Sequence, residues 1–279
     1  MTCSPASGTL FPVGNTPVTC STQAGPSCNF SVTVNDTENP VIKCPGNITV
    51  GNDPGLCSAV VNPGTATATD NCPNVTVAGT RSDGQPLNAP YPVGTTIITW
   101  KATDASNNMA SCPQTITVND VEPPVITASV ATTCLWPPDH TLVDVGLSLA
   151  VSDNCTPASQ IGVDVKVTSD EKPEATGDGH FTPDAVVTGT GANRVVRLRR
   201  ERVGGGDGRV YLIRITATDQ YNNTSLKVLR VDVPKNQNPR TTSATGRCAT
   251  DSRPVSGSNA PDGGFFVTSP PAPIIGPKQ

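Results

Sequence analysis

Carboxylates recur in this chain at matched places. The septet VNDTENP (34–40) carries Asp36 and Glu38, and its near copy VNDVEPP (118–124) carries Asp120 and Glu122. TDNC holds Asp70 where SDNC holds Asp153, and WKATDASNN holds Asp104 where ITATDQYNN holds Asp219. Carboxylate and carbonyl oxygens are what calcium takes as ligands. An Asp at a turn equally bonds its own backbone, so both readings stand for these groups. The other reactive residues are ten cysteines. None forms a CxxC pair, and the nearest two, Cys20 and Cys28, are eight apart. Zinc draws on close Cys or His pairs; this spacing reads instead as disulfides made in an oxidising compartment.

Catalysis has little to stand on. There are two histidines, His140 in WPPDHTL and His180 in GDGHF. No GxSxG elbow, HExxH pair or Gly-rich phosphate loop is present. Asp139 beside His140 reads as a turn rather than a dyad. No catalytic residue is assigned and no enzyme activity is expected.

The elements that must position these groups are strands. Aromatics make up 4 % of the 279 residues and charged residues 15 %. Thr and Val suit pleated surfaces, and Gly, Pro and Asn suit turns. Short alternating runs recur, such as SVTV, TIITW, TITV and KVLRVDV, and helical periodicity is missing. The expected fold is all-β, built from several small sandwiches. A net charge of −4 argues against a nucleic-acid partner. No apolar run reaches the roughly 20 residues of a membrane span. MTCSPASGTL has neither the basic nor the apolar region of a signal peptide, so the expectation is a piece of a longer secreted protein.

Asp36 and Asp120 are 84 residues apart, and the blocks before them match. FPVGNTPVTC runs parallel to YPVGTTIITW, and CNFSVTVND to CPQTITVND. Cys28 therefore matches Cys112, Cys20 matches Trp100, and Cys3 matches Gly79. Cys3 and Cys20 are replaced together in the second copy, which predicts that they bond to each other. A third unit begins PVITASVATTCLWPPDH and ends ITATDQYNNTSLKVLRVDVP.

KCPGNITV, GLCSAVV, ATDNCPNVTV, YPVGTTIITWKATDASNN and CPQTITVND, in that order, resemble the hyalin repeat, or HYR domain. The resemblance covers residues 1 to about 121. It implies an immunoglobulin-like β-sandwich and an extracellular, adhesion-associated protein. Gly79 and Trp100 depart from it, standing where the family usually has a cysteine pair. Residues 125–235, with LWPPDH, resemble an immunoglobulin-like domain that accompanies hyalin repeats. The expected division is tandem immunoglobulin-like β-sandwiches: half a hyalin-repeat sandwich over 1–36, a complete one over 37–121, an immunoglobulin-like sandwich over 122–235 and a disordered tail over 236–279.

On such a fold the first strand lies beside the last, which pairs Cys44 with Cys112 and leaves Cys57 with Cys72. Cys155 matches Cys72, so Cys134–Cys155 is the counterpart in the third unit. Cys28 and Cys248 are left over. The same fold collects Asp36, Glu38, Asp70 and Asp104 at one pole of the complete repeat, and Asp120, Glu122, Asp153 and Asp219 at the matching pole of the next unit. Each set is a calcium clamp in one reading and a set of turn formers in the other. Arg194, Arg197, Arg199 and Arg202 lie in one basic stretch, either a patch for an anionic ligand or a solvated strand face. The expected function is a non-catalytic spacer or binding array. Its partners would be cell-surface or matrix proteins, glycans, or further copies of itself. The alternatives are the accessory region of a larger secreted enzyme and a self-assembling fibre subunit.

Overall fold

The computed structural model describes residues 1–23, 25–171, 181–204 and 208–234, and the backbone of 265–266. The tail expected over 236–279, together with His180 and Cys248, lies otherwise outside the described residues. The chain divides into two compact units: residues 1–53 with 57–119, and residues 54–56 with 120 onward. The described residues are strands and loops, with a single 3-10 turn at Ala158–Gln160.

In the first unit the strands are β1 (Thr2–Ser4), β2 (Gly14–Ser21), β3 (Cys28–Val34), β4 (Val41–Lys43), β5 (Ile48–Gly51), β6 (Ser58–Ala59), β7 (Thr67–Thr69), β8 (Thr76–Arg81), β9 (Tyr91–Pro92), β10 (Gly94–Thr103) and β11 (Met109–Asn119). The first three form a sheet in the order β1-β2-β3. The main sheet of the complete repeat runs β5-β11-β10-β8, and the pairs β4-β7 and β6-β9 complete the repeat. Period-two alternation explains β10: Thr96, Ile98, Trp100 and Ala102 are buried and their neighbours face outward. From the facing elements Ala59, Val61, Ala66 and Tyr91 close on Ile98, Trp100, Ile116 and Val118. Burying each large side chain contributes about 1.5–3 kcal/mol.

Polar anchors hold this small core in register. The Trp100 indole donates to Gln114 Oε1 at 2.9 Å, and the Gln114 amide donates to the carbonyls of Gly46 and Pro63 at 2.8 and 2.9 Å. Arg81 lies 3.8 Å over the Tyr91 ring and pairs with Asp83. That pairing holds the Asp83 carboxyl below its usual range.

The register also explains a replaced cysteine pair. Cys3 faces Cys20 in the first sheet, and the two are joined by a disulfide. In the main sheet Gly79 faces Trp100, and the indole ring lies over the glycine. A Cβ at Gly79 would stand 2.8 Å from the ring. Gly79→Ala is therefore expected to destabilise by about 1–3 kcal/mol through overpacking. A urea midpoint that does not move would mean the ring swings aside at no cost.

The second unit contains β12 (Val125–Val130), β13 (Leu142–Asp144), β14 (Leu147–Ser152), β15 (Gly162–Ser169), β16 (Ala185–Thr190), β17 (Asn193–Arg199), β18 (Gly208–Thr218), β19 (Thr224–Pro234) and β20 (Phe265–Phe266). They form sheets in the orders β12-β14, β13-β17-β16 and β19-β18-β15-β20. Leu135, Val145, Val165, Val167, Val196, Leu198, Ile213, Ile215, Val231 and Val233 fill the core between them.

One end of that core is ionic. Arg209 is fully buried, with Nε 3.0 Å from Glu171 and Nη1 2.8 Å from Asp184 and 3.4 Å from Glu201. Nη1 also donates to the Tyr211 hydroxyl, which donates to the Arg199 carbonyl. Burial pushes the Tyr211 phenol well above its usual range, so it acts here as a neutral donor.

One expected cysteine pair is not formed. Cys44 is bonded to Cys112. Cys72 is a free thiol, so the expected Cys57–Cys72 bond is not formed. Cys57, Cys134 and Cys155 are each disulfide-bonded. The loop carrying Cys72 turns its thiol toward Asp36 and Asp70 instead.

Candidate cation site

Three strand ends meet at one pole of the second unit. Asp120 precedes β12, Asp153 follows β14 and Asp219 follows β18. One carboxylate oxygen from each lies within 4.8 Å of the others. Turn chemistry positions all three. Asp120 Oδ1 accepts the Glu122 amide at 3.2 Å. Asp153 Oδ1 accepts the amides of Cys155 and Thr156 at 2.8 and 2.7 Å. Asp219 Oδ1 accepts the amides of Tyr221 and Asn223, both at 2.8 Å. The Asn223 side chain then bridges Asp219 Oδ2 and the Asp120 carbonyl, at 2.8 and 3.2 Å.

These bonds use one oxygen of Asp120 and one of Asp153. The second oxygens, Asp120 Oδ2 and Asp153 Oδ2, are buried without a hydrogen-bond partner. Asp120 as a whole is only 6 % exposed. A buried carboxylate oxygen with no donor is costly unless it is protonated or meets a cation. Burial, with the added charges of Asp153, Asp219 and Glu122, holds the Asp120 carboxyl above its usual range although the Glu122 amide opposes this.

The same frame is built in the first unit. Asp36 Oδ1 accepts the Glu38 amide, Asp70 Oδ1 accepts the Cys72 amide, and Asp104 Oδ1 accepts the amides of Ser106 and Asn108. Asn108 bridges Asp104 Oδ2 and the Asp36 carbonyl, as Asn223 does in the other unit. Burial pushes the Asp104 carboxyl up, but its bonds from Asn108 and Ser106 outweigh that and leave it below the usual range. The close trio here is Asp36, Asp70 and the Cys72 thiol. Burial and the Asp36 carboxylate hold that thiol above its usual range. A thiol is a poor calcium ligand, so the two sites share a frame but not a donor set.

Three of the expected carboxylates stand outside the close trios, Asp104 among them. Glu122 directs both oxygens to the Gly55 amide, at 2.9 and 3.1 Å, and takes no place in the trio. Glu38 likewise lies outside the first trio. Asn108 and Asn223 are the members that sequence reasoning missed as site residues. Their signal was the shared NN of DASNN and DQYNN.

The arginines do not form one surface. Arg199 is buried and donates to the carbonyls of Pro183 and His140, Arg194 donates to the Val163 carbonyl, and Arg197 faces outward. Arg202 is half-buried and reaches no further than the Val203 carbonyl. The four arginines, read as either an anionic-ligand patch or a solvated strand face, are thus divided between core and surface. His140 is 3.4 Å from Glu201, and Asp139 caps Thr141 and pairs with Arg200.

Comparison with known proteins bears on the first unit. Residues 35–118 match the family model of the HYR domain. Over 128 residues it is 34 % identical to hyalin of Strongylocentrotus purpuratus, covering 42 % of this chain and 10 % of that protein. Over 130 residues it is 40 % identical to hyalin of Lytechinus variegatus, covering 43 % of this chain and 24 % of that protein. It is 38 % identical over 112 residues to the sushi, von Willebrand factor type A, EGF and pentraxin domain-containing protein 1 of Rattus norvegicus, covering 39 % of this chain and 3 % of that protein. The chain therefore spans no more than 24 % of the length of these relatives. Among solved structures, the protocadherin γB4 extracellular domain aligns over 78 % of this chain and 36 % of its own, with TM-score 0.33 and 13 % identity. The candidate cation trio Asp120, Asp153 and Asp219 lies beyond the matched HYR residues.

Proposed function

We propose that this chain is a non-catalytic extracellular repeat protein of the adhesion type, and that its second unit binds calcium through Asp120, Asp153 and Asp219. The HYR domain and the hyalin relatives support the first part. The buried, unpartnered Oδ2 of Asp120 beside that of Asp153 carries the second. Calcium accepts carboxylate and carbonyl oxygens and completes its shell with water, and extracellular modules typically bind it at about 10⁻⁴ to 10⁻³ M. The cation would neutralise like charges that now oppose one another and would tie Asp120 to the ends of β14 and β18. A β-sandwich stiffened at that pole serves as a spacer or as a platform for surface or matrix proteins and glycans.

Calcium titration with a thermal melt of the full chain tests this. At a hundredfold excess over Kd, binding to the folded state contributes about 2.7 kcal/mol, and Asp120→Asn should lose most of it. The pH response has a defined sign. Asp120 has its folded pKa above its unfolded value, so its ionisation opposes folding. In chelator, wild type should lose stability relative to Asp120→Asn as pH rises from about 4, the ordinary unfolded value, through the raised folded one. Saturating calcium should reverse the order of the two proteins. Melting temperatures indifferent to calcium across this range would leave the carboxylates as turn formers only.

A further inference from the structure

The sheet of β15, β18 and β19 has two faces of different chemistry. Inward, Val165, Val167, Ile213, Ile215 and Val231 belong to the core. Outward, the register sets Lys166 against Arg214 and Arg214 against Val228. Two residues along the strands it sets Asp164 against Thr216 and Thr216 against Leu226, and Thr224 ends that row of β19. Residues paired directly across strands share a face. Asp164, Lys166, Arg214, Thr216, Thr224 and Leu226 together line an open depression of about 410 Å³, a size that suits a small ligand.

The charges in this depression are not balanced. Lys166 and Arg214 are like charges set directly opposite, an arrangement that costs a sheet stability. Asp164 answers one of them, with its carboxylate 3.1 Å from the Lys166 ammonium. Arg214 is half-buried and has neither an ion-pair partner nor a hydrogen-bond acceptor for its guanidinium among the described residues. Its strand is flanked on both sides, so the arginine stands between Lys166 and Val228 with its planar fork unanswered. The sheet gains nothing from a second cation there. A guanidinium fork matches a carboxylate in a bidentate pair. Leu226, 53 % exposed, adds an apolar surface beside it.

We propose that this depression binds a carboxylated saccharide of the hexuronate type. The sugar carboxylate meets Arg214, with Lys166 adding charge. The apolar C–H face of the ring lies against Leu226, and the ring hydroxyls bond Asp164, Thr216 and Thr224. Asp164 decides for a sugar over an acidic peptide. Its carboxylate accepts from hydroxyls but repels a run of acidic side chains. The main chain of β18 is also spent in ladders on both sides, so a peptide gains no strand pairing over Arg214. The site shares no residue with the Asp120, Asp153 and Asp219 trio. It draws on the extracellular reading for its setting and not on calcium.

The test uses the full chain, in chelator, with trigalacturonate as the probe. Amide resonances of residues 164–166, 214–216 and 224–226 should shift saturably as the probe is added. Arg214→Gln should weaken binding at least about tenfold, the loss expected for a charge-assisted pair. Its melting temperature should not fall, because the substitution also removes the opposition to Lys166. Arg214→Lys keeps the charge without the fork and should bind between the two. The methyl ester of the probe, which lacks the charge, should bind at least about tenfold more weakly than the acid. Asp120→Asn should bind the probe as wild type does, which separates this site from the calcium reading. Unchanged binding by Arg214→Gln, or equal binding of acid and ester, would overturn the proposal. A hexaglutamate peptide that binds as tightly as the probe would assign the face to acidic polypeptides and overturn it too.

Discussion

Arg209→Met is expected to destabilise the second unit by about 3–5 kcal/mol, the range for removing one partner of a buried ion pair. Arg209 is the cation that Asp184, Glu201 and Glu171 share, and Asp184 and Glu201 are themselves fully enclosed. Removing it leaves carboxylates in a site that water does not reach, and their desolvation exceeds anything methionine packing returns. The loss should appear in thermal melts of the intact chain at neutral pH. It should shrink in acid, where protonation removes the uncompensated charges. A lesser effect is expected of Glu171→Gln, because Glu171 retains 12 % side-chain exposure and its amide can still accept from Arg209. A neutral result for Arg209→Met would show that the cluster relaxes or hydrates at little cost.

Cys44→Ala with Cys112→Ala should cost the first unit about 4 kcal/mol in the chain-entropy account. The bond closes 68 residues of sequence, most of the domain, and so withdraws much freedom from the unfolded chain. The core it supports is small, with Tyr91 and Trp100 as its aromatic members. Urea denaturation of the double variant beside wild type, without reductant, measures the loss. A loss of unfolding free energy below about 1 kcal/mol would mean that the unfolded chain is already compact enough for the cross-link to withdraw little freedom from it.

Much of the candidate site was legible because it is made of local turns. Asp70, Asp104, Asp153 and Asp219 each cap amides within four residues of themselves, and such bonds depend on short spacings that the sequence displays. The two readings of these carboxylates, turn former and cation ligand, were opposed at the level of sequence. The structure lets both hold for Asp120 and Asp153, with one oxygen of each in the turn and the other left over. Glu122 was grouped with them because the septet carries it close to Asp120, but its carboxylate accepts the Gly55 amide, a partner far away in sequence.

By itself the sequence determined the all-β class, the 84-residue offset of the copies and the pairing of Cys3 with Cys20, because alternation and paired replacement are properties of the chain's own order. Only the tertiary structure decided that Cys72 stays a thiol, that Arg199 and Arg209 turn inward while Arg197 faces water, and that Gln114 sits in the core joining Trp100 to two loops. Those outcomes rest on which distant group meets a side chain once strands are registered. A buried charge is retained only where its counter-charge arrives from elsewhere in the chain.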